Sequence, residues 1–368
     1  MHNENINILQ LISSLEVGGA EKLLIEQLKS SKKLDLPVNY SIVIVNDLLN
    51  EQLKEELVSI GYNVYFLHRK ENSKNPRYFF DLFNIIRKNK INIIHSHDPG
   101  CKKWEVIFKL LNPKLKTVFT IHDTNIVKSF NKFHSFISRY LIDKNIAISK
   151  SVYDECINNS HNNVVQINNG VDVGYFSKNK AIIDKNNSKL DIINVSRITH
   201  TKKGQDILIK ALIECKKNGL EFSCKFVGGV SDHESFEYLK QLVEEGNISD
   251  NVQFLGNRND ISELLAGSNL FILPSRYEGF GLVVIEAMAA GLPVIASNID
   301  GPAEIIQNNK NGLLFESENY NDLVDKITYF YYNRDNMIDI ALISNNYASS
   351  YDISLMTKKY YSLYKELS

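Results

Sequence analysis

The chain has 368 residues, 43% hydrophobic and 23% charged, with a net charge of −1. That length suits two domains with real cores, and so even a charge balance supplies no basic field for nucleic acid. Four scattered cysteines, Cys101, Cys156, Cys215 and Cys224, form neither a CxxC pair nor a zinc spacing, and read as buried thiols of a reducing compartment.

Short apolar runs alternate with amphipathic stretches from the start. Runs at residues 6–12, 40–45, 63–66, 91–95, 117–120, 145–148 and 164–167 predict strands, with helices between them over stretches such as 20–28 and 78–88. Strands that alternate with helices argue for a parallel sheet. Gly18-Gly19-Ala20-Glu21 follows the first run and opens a helix. Glycines there let a phosphate or acceptor approach the backbone, and a helix start favours negative charge. Any strand-to-helix turn can hold glycine, however, and the missing GxGxxG disfavours a nicotinamide-dependent dehydrogenase. His95-Ser96-His97-Asp98 closes the fourth run. The spacing of its two imidazoles invites a metal, but no third ligand is evident, which leaves an acceptor-side contact for His97. His122 ends the fifth run, where a strand's C-terminal end faces a ligand crevice; a structural imidazole is the alternative. Ser151-Val-Tyr-Asp154 reads as a capping box, and Asn169-Gly170-Val171-Asp172 as a structural turn.

A polar stretch at residues 178–189 reads as a linker. The pattern then restarts, with runs at 191–195, 223–227, 252–255, 270–273, 293–296 and 312–315. Domains are therefore expected at 1–178 and 189–351. The first new run leads into Ser196-Arg197-Ile-Thr-His-Thr-Lys202-Lys203-Gly204. Two fixed cations would stabilise a departing diphosphate without a metal; surface charges facing water are the alternative. Gly228 and Arg258 end the next two runs. The richest stretch begins at Ser275. A glycine-flanked loop, Glu278-Gly279-Phe280-Gly281, precedes a helical run that Gly291 and Pro293 end. So much glycine suits a backbone that a ligand approaches closely. Glu278 sits at the mouth of this turn, and Glu286, eight residues on, is expected about two turns into the helix. Carboxylates so placed can hold a sugar at one end and a ribose at the other. Asp300-Gly301-Pro302-Ala303-Glu304 reads as a helix entry, and residues 353–367 as an amphipathic, tyrosine-rich helix.

Glu278-Gly-Phe-Gly with a second Glu at 286 resembles the E-x7-E signature of the retaining, family 4 GT-B glycosyltransferases, and other pieces follow in that family's order over nearly the whole chain. The resemblance implies an α/β fold of two Rossmann-like domains facing a cleft, with residues 352–368 crossing back to the N-terminal domain. It implies donor binding in the second domain and acceptor binding in the first. It places Arg197 and Lys203 (which fits the family's register better than Lys202) on the diphosphate and Glu286 on the ribose. It assigns Glu278 and the Gly279, Phe280 and Gly281 segment to the sugar hydroxyls, and His122 to the sugar as well. Gly19, Gly228 and Arg258 border the donor, and Gly18 and His97 the acceptor. No Asp-x-Asp occurs, so no metal cofactor is expected. The implied partners are a nucleotide-sugar donor, with UDP the commonest in the family, and a glycan or lipid-linked acceptor of bacterial polysaccharide assembly. Rival readings are a sugar-nucleotide epimerase of the same two-lobed build, which forms epimer without acceptor, and a two-lobed sugar-binding protein, which binds without turnover. The polar first five residues read as no signal peptide, and no apolar run approaches the roughly 20 residues that span a bilayer. A cytoplasmic protein is therefore expected, with a peripheral contact at the inner face of the membrane.

Overall fold

A computed structural model describes residues 6–368 apart from 17, 72 and 125, so the N-terminal segment read for targeting lies outside the described residues. The chain divides into two compact units: residues 1–170 with 353–368, and residues 171–352.

The first unit is built on a seven-stranded sheet of β1 (Ile6–Ile12), β2 (Val38–Asn46), β3 (Asn63–Arg69), β4 (Ile93–Ser96), β5 (Lys116–Ile121), β6 (Lys144–Ala147) and β7 (Val164–Gln166). Every pairing is parallel, and the order is β3-β2-β1-β4-β5-β6-β7. Helices cover such a sheet on both faces, so its strands read as near-continuous apolar runs rather than as alternation. β1 and β4 follow this rule, with Ile8, Leu9, Leu11, Ile93 and Ile94 fully buried. The final helix, Ile353–Leu367, belongs to this unit, as the resemblance implied, and packs on the Gly19–Lys33 helix.

The second unit repeats the scheme with β8 (Leu190–Val195), β9 (Phe222–Val227), β10 (Val252–Gly256), β11 (Leu270–Leu273), β12 (Val294–Ser297) and β13 (Leu313–Phe315), in the parallel order β10-β9-β8-β11-β12-β13. The Leu282–Ala289 helix is largely buried and mostly apolar, and packs against the Arg334–Ala348 helix. Asn345 Nδ2 donates to the Met288 and Ala289 carbonyls at 3.1 and 2.8 Å and so satisfies the end of that helix. The polar stretch at 178–189 is tied to this unit: Ala181 N–H donates to the Ala290 carbonyl at 2.8 Å and Lys180 Nζ to Asn345 at 2.8 Å.

Two local expectations change. The cap of the Lys150–Asn158 helix is Ser149, whose side chain accepts from Val152 N; Ser151 already lies inside the helix. Glu286 is the fifth residue of the Leu282–Ala289 helix, about one turn in rather than two, because the chain turns helical only after Gly281.

In each sheet the strand order reverses once, between β1 and β4 and between β8 and β11. Loops leaving the two strands at such a point diverge and open a crevice at their C-terminal ends, where ligands bind in folds of this kind. The predicted site residues follow the C-terminal ends of these four strands and of β5, β9 and β10.

Candidate active site

In the second unit, two loops meet beyond β8 and β11. Gly204 joins them. It has φ +64°, and a Cβ there would lie 1.9 Å from the Pro274 carbonyl oxygen, so only glycine fits. The close approach lets the Arg276 and Tyr277 N–H groups donate to the Lys202 carbonyl at 2.9 and 3.2 Å. Lys202 therefore joins the loops through its backbone while its side chain is exposed. Lys203 turns inward, and its Nζ donates to Glu278 Oε2 at 2.6 Å, the two side chains being 20% and 17% exposed. Ser275 Oγ donates to the same oxygen at 3.4 Å. Two residues 75 positions apart, singled out separately from the sequence, form one ion pair.

A second clamp braces this pair. Arg276 donates to Asp206 Oδ1 and Oδ2 at 2.7 and 3.1 Å, to Glu318 at 2.8 Å and to the His200 carbonyl at 2.5 Å. Burial works against the Asp206 carboxylate, but hydrogen bonding and charge from Arg276, helped by Lys210, outweigh it and hold the carboxyl below its usual range. Sequence reasoning missed Arg276. Its one signal was its place two residues before Glu278.

Arg197 is exposed and makes no ion pair among the described residues, so its guanidinium is available to an anion. Its backbone is fixed. Buried Gln205 donates to the Arg197 carbonyl at 2.8 Å and to Ser196 Oγ at 3.0 Å, and Ser196 Oγ donates in turn to Asn194 at 2.9 Å. Gly228 supports the same turn, since a Cβ there would lie 2.1 Å from the Ser196 carbonyl oxygen. That packing explains the glycine without a ligand.

The Glu278 loop is shaped from below. Phe280 is 3% exposed and packs edge-on against Tyr351, with centroids 5.8 Å apart, so its ring belongs to the core and only its backbone is offered to a ligand. Gly281 caps the following helix at φ +96°. A Cβ on Gly301 would lie 2.7 Å from the Glu278 carbonyl oxygen. Gly279 and Glu286 are half-buried on this loop and helix. Val284 N–H already donates to the Gly281 carbonyl at 2.9 Å, and the N–H groups before it at the start of the Leu282–Ala289 helix favour an anion or hydroxyl. Arg258 is exposed and forked onto Asp260 at 2.8 and 2.6 Å, which fixes the plane of its guanidinium.

In the first unit, Gly18 caps the Gly19–Lys33 helix in extended conformation, and a Cβ on Gly19 would meet nothing within 4 Å. Neither backbone strain nor packing requires glycine at 19. Asp98 ties β1 to β4: it accepts from Ser13 N and Oγ at 2.8 and 2.6 Å, and caps the Pro99–Leu111 helix. Beside it, His97 does not offer a ring nitrogen to an acceptor. The residue is 7% exposed, with Nε2 2.7 Å from Gln10 Oε1 and Nδ1 3.1 Å from His122 Nε2. The expected acceptor contact is replaced by support for His122, which is itself only partly buried. Burial lowers the His122 pKa to about 4 against the opposing charge of Asp98, and burial likewise holds His97 well below the usual range, so both rings are neutral at neutral pH. Among the described residues no group of three or more His, Cys, Asp or Glu is arranged to hold a metal.

Comparisons with known proteins agree over both units. The model of glycosyl transferases group 1 matches residues 176–342, and that of glycosyltransferase family 4 matches residues 17–175. An uncharacterized glycosyltransferase of Methanocaldococcus jannaschii is 32% identical over 66% of this chain and 66% of its own length. The N-acetyl-α-D-glucosaminyl L-malate synthase of Bacillus anthracis is 29% identical over 63% of each. The chain thus spans about two thirds of the length of these curated relatives. Among solved structures, a glycosyltransferase from Rickettsia africae superposes with a TM-score of 0.84 at 26% identity, over 99% of this chain and 98% of that one. Anabaena HepE, in complex with UDP and glucose, superposes with a TM-score of 0.82 over 98% of this chain and 100% of that one; at 20% identity, this likeness is one of fold.

The two kinds of glycine separate in a stability measurement. Denaturant unfolding of Gly204→Ala is expected to show a loss of about 3 kcal/mol or more, from strain at positive φ and the collision with Pro274. Gly19→Ala is expected to stay within about 0.5 kcal/mol of the parent chain. An equally large loss at both positions contradicts this division.

Proposed function

This chain belongs to the family 4, group 1 glycosyltransferases, and on that premise we propose that it is a retaining, metal-independent enzyme that moves a hexose from a UDP-sugar to a hydroxyl of a glycan or lipid-linked acceptor in bacterial surface polysaccharide assembly. The observation that carries this reading is the Lys203–Glu278 pair on the turn that also bears Arg197, whose guanidinium makes no ion pair among the described residues. An ammonium has three N–H donors, and Glu278 takes one, so Lys203 can hold the sugar-side carboxylate and a phosphate oxygen together. Arg197 and Lys203 neutralise the charge that grows on the diphosphate as the C1–O bond breaks. The acceptor oxygen bonds to C1 on the face that the phosphate leaves, and its proton passes to the departing phosphate oxygen. Glu278 and the backbone around Gly279 hold the sugar hydroxyls, Glu286 the ribose, Arg258 the base and His122 a further hydroxyl of the sugar. Gly19, with no packing role of its own, allows close approach by phosphate or acceptor. Catalysis on this reading is positioning and charge stabilisation, and no metal takes part.

A membrane-proximal acceptor fits one surface of the first unit. Phe133, Phe136 and Tyr140 lie at helical spacing on the Lys132–Tyr140 helix and are 63%, 53% and 69% exposed. Lys132 and Arg139 lie on the same helix, and each basic residue near an anionic leaflet adds roughly 1 kcal/mol of attraction. No helix among the described residues is long and apolar enough to cross a membrane.

A screen of nucleotide sugars for released nucleotide diphosphate tests the activity. Turnover is expected with a UDP-sugar, unaffected by EDTA, and Lys203→Ala is expected to lower it by roughly 10²–10³-fold while Lys202→Ala leaves it nearly unchanged. NMR of fresh product is expected to show the donor's anomeric configuration. An inverted anomer, or activity abolished by EDTA and restored by manganese, contradicts the mechanism.

Sedimentation with vesicles tests the surface. The parent chain is expected to pellet with anionic but not with zwitterionic vesicles, and the Phe133→Ser, Phe136→Ser double variant to remain in the supernatant with nucleotide-sugar turnover intact. A parent chain that stays in solution with anionic vesicles contradicts the membrane contact.

A further inference from the structure

A chain of buried side-chain hydrogen bonds runs beneath His122 and is longer than holding one imidazole requires. His122 Nε2 lies 3.1 Å from His97 Nδ1, and His97 Nε2 lies 2.7 Å from Gln10 Oε1. Gln10 Nε2 donates to the Tyr364 hydroxyl at 3.2 Å, that hydroxyl lies 2.7 Å from His95 Nδ1, and His95 Nε2 lies 2.7 Å from Thr120 Oγ1. Gln10, His95, Thr120 and Tyr364 are fully buried. The chain therefore links β1, β4 and β5, passing through Tyr364 of the C-terminal helix on the way and ending at Thr120.

Such a chain has a direction. An amide oxygen only accepts, so His97 Nε2 carries a hydrogen. His97 is almost completely enclosed, and the group at each of its ring nitrogens is uncharged, so the ring is neutral and Nδ1 keeps a lone pair. That lone pair must accept from His122 Nε2. The outer half agrees: the Tyr364 hydroxyl accepts from Gln10 and donates to His95 Nδ1, and His95 Nε2–H donates to Thr120. We propose that Gln10 and His97 are positioning residues that fix His122 as its Nε2–H tautomer, so that His122 Nδ1 faces the ligand only as a hydrogen-bond acceptor and selects a sugar hydroxyl that donates to it. Nδ1 has no hydrogen-bond partner among the described residues. The inference rests on His122 contacting the transferring sugar. It goes beyond that contact in stating its polarity: a hydroxyl is accepted, whereas a ligand group that can only accept, such as an ether or a carbonyl oxygen, is refused. The C-terminal helix supplies Tyr364, which holds the Gln10 amide in this orientation.

The tautomer is read directly from long-range proton–nitrogen NMR of the full chain labelled with ¹⁵N-histidine, without substrate and independently of turnover. In the parent chain, both His97 and His122 are expected to carry hydrogen on Nε2. In Gln10→Met, which removes the accepting oxygen, His122 is expected to show both tautomers. Its kcat is expected to fall by up to about tenfold, the effect of one neutral hydrogen bond, with KM for the donor little changed. A donor sugar whose hydroxyls are methylated one at a time is expected to lose this sensitivity to Gln10→Met at a single position. Hydrogen on Nδ1 of His122 in the parent chain overturns the proposal, and that spectrum decides it even if Gln10→Met does not fold. Mixed tautomers in Gln10→Met with unchanged kcat overturn the sugar contact of His122 while leaving the tautomer assignment standing.

Discussion

An ammonium and a carboxylate held 2.6 Å apart at the ends of two parallel strands are the constraint around which the second unit is arranged. Neither charge is fully solvated, so removing either one leaves the other partly desolvated and without its counterion. The pair exists because Gly204 lets its turn press on the Pro274 carbonyl, at a φ that other residues avoid. It keeps its register because two N–H groups bind the Lys202 carbonyl and Arg276 grips Asp206, Glu318 and the His200 carbonyl. Gly228 and Gly301 do for the neighbouring turns what Gly204 does here, each allowing a backbone approach that a Cβ would block.

The first unit solves the equivalent problem mostly with neutral groups. Its strand ends also meet where the order reverses, but apart from the Asp98 carboxylate that ties them the residues there are imidazoles, an amide and hydroxyls, buried in one connected chain. Burial makes an unpaired polar group costly, so such a chain persists only if every member finds its partner. Paired charge therefore gathers beyond β8 and β11, and oriented neutral dipoles around a single carboxylate, Asp98, beyond β1 and β4. The C-terminal helix is needed for this, since Tyr364 and Tyr360 come from it and are buried against the strands of the first sheet.

Much of this was legible from local pattern. Buried parallel strands are short apolar runs, and all thirteen were anticipated within a few residues; the last helix matched the expected 353–367. Arg197 could be singled out because it sits just past a strand end, and Lys203 and Glu278 because each precedes a glycine in the turn that follows one. What stayed hidden was everything decided by distant partners. Arg276 gave no sign of Asp206, 70 positions away, nor Gln10 of Tyr364, 354 positions away. Phe280 looked like a ligand-facing aromatic between glycines, but Tyr351 draws its ring into the core. His97 looked like a surface contact because sequence spacing cannot show that both its nitrogens are already used. The cap at Ser149 was missed by two residues because Ser151 has the same chemistry.

The central claim is that Lys203 and Glu278 act on the donor as one unit, and a double-mutant cycle in turnover tests it most directly. The account predicts that a chain with both Lys203→Ala and Glu278→Ala is no slower than the worse single variant, because either change alone already breaks the pair. Losses that simply multiply, as they would for two independent side chains, would contradict it.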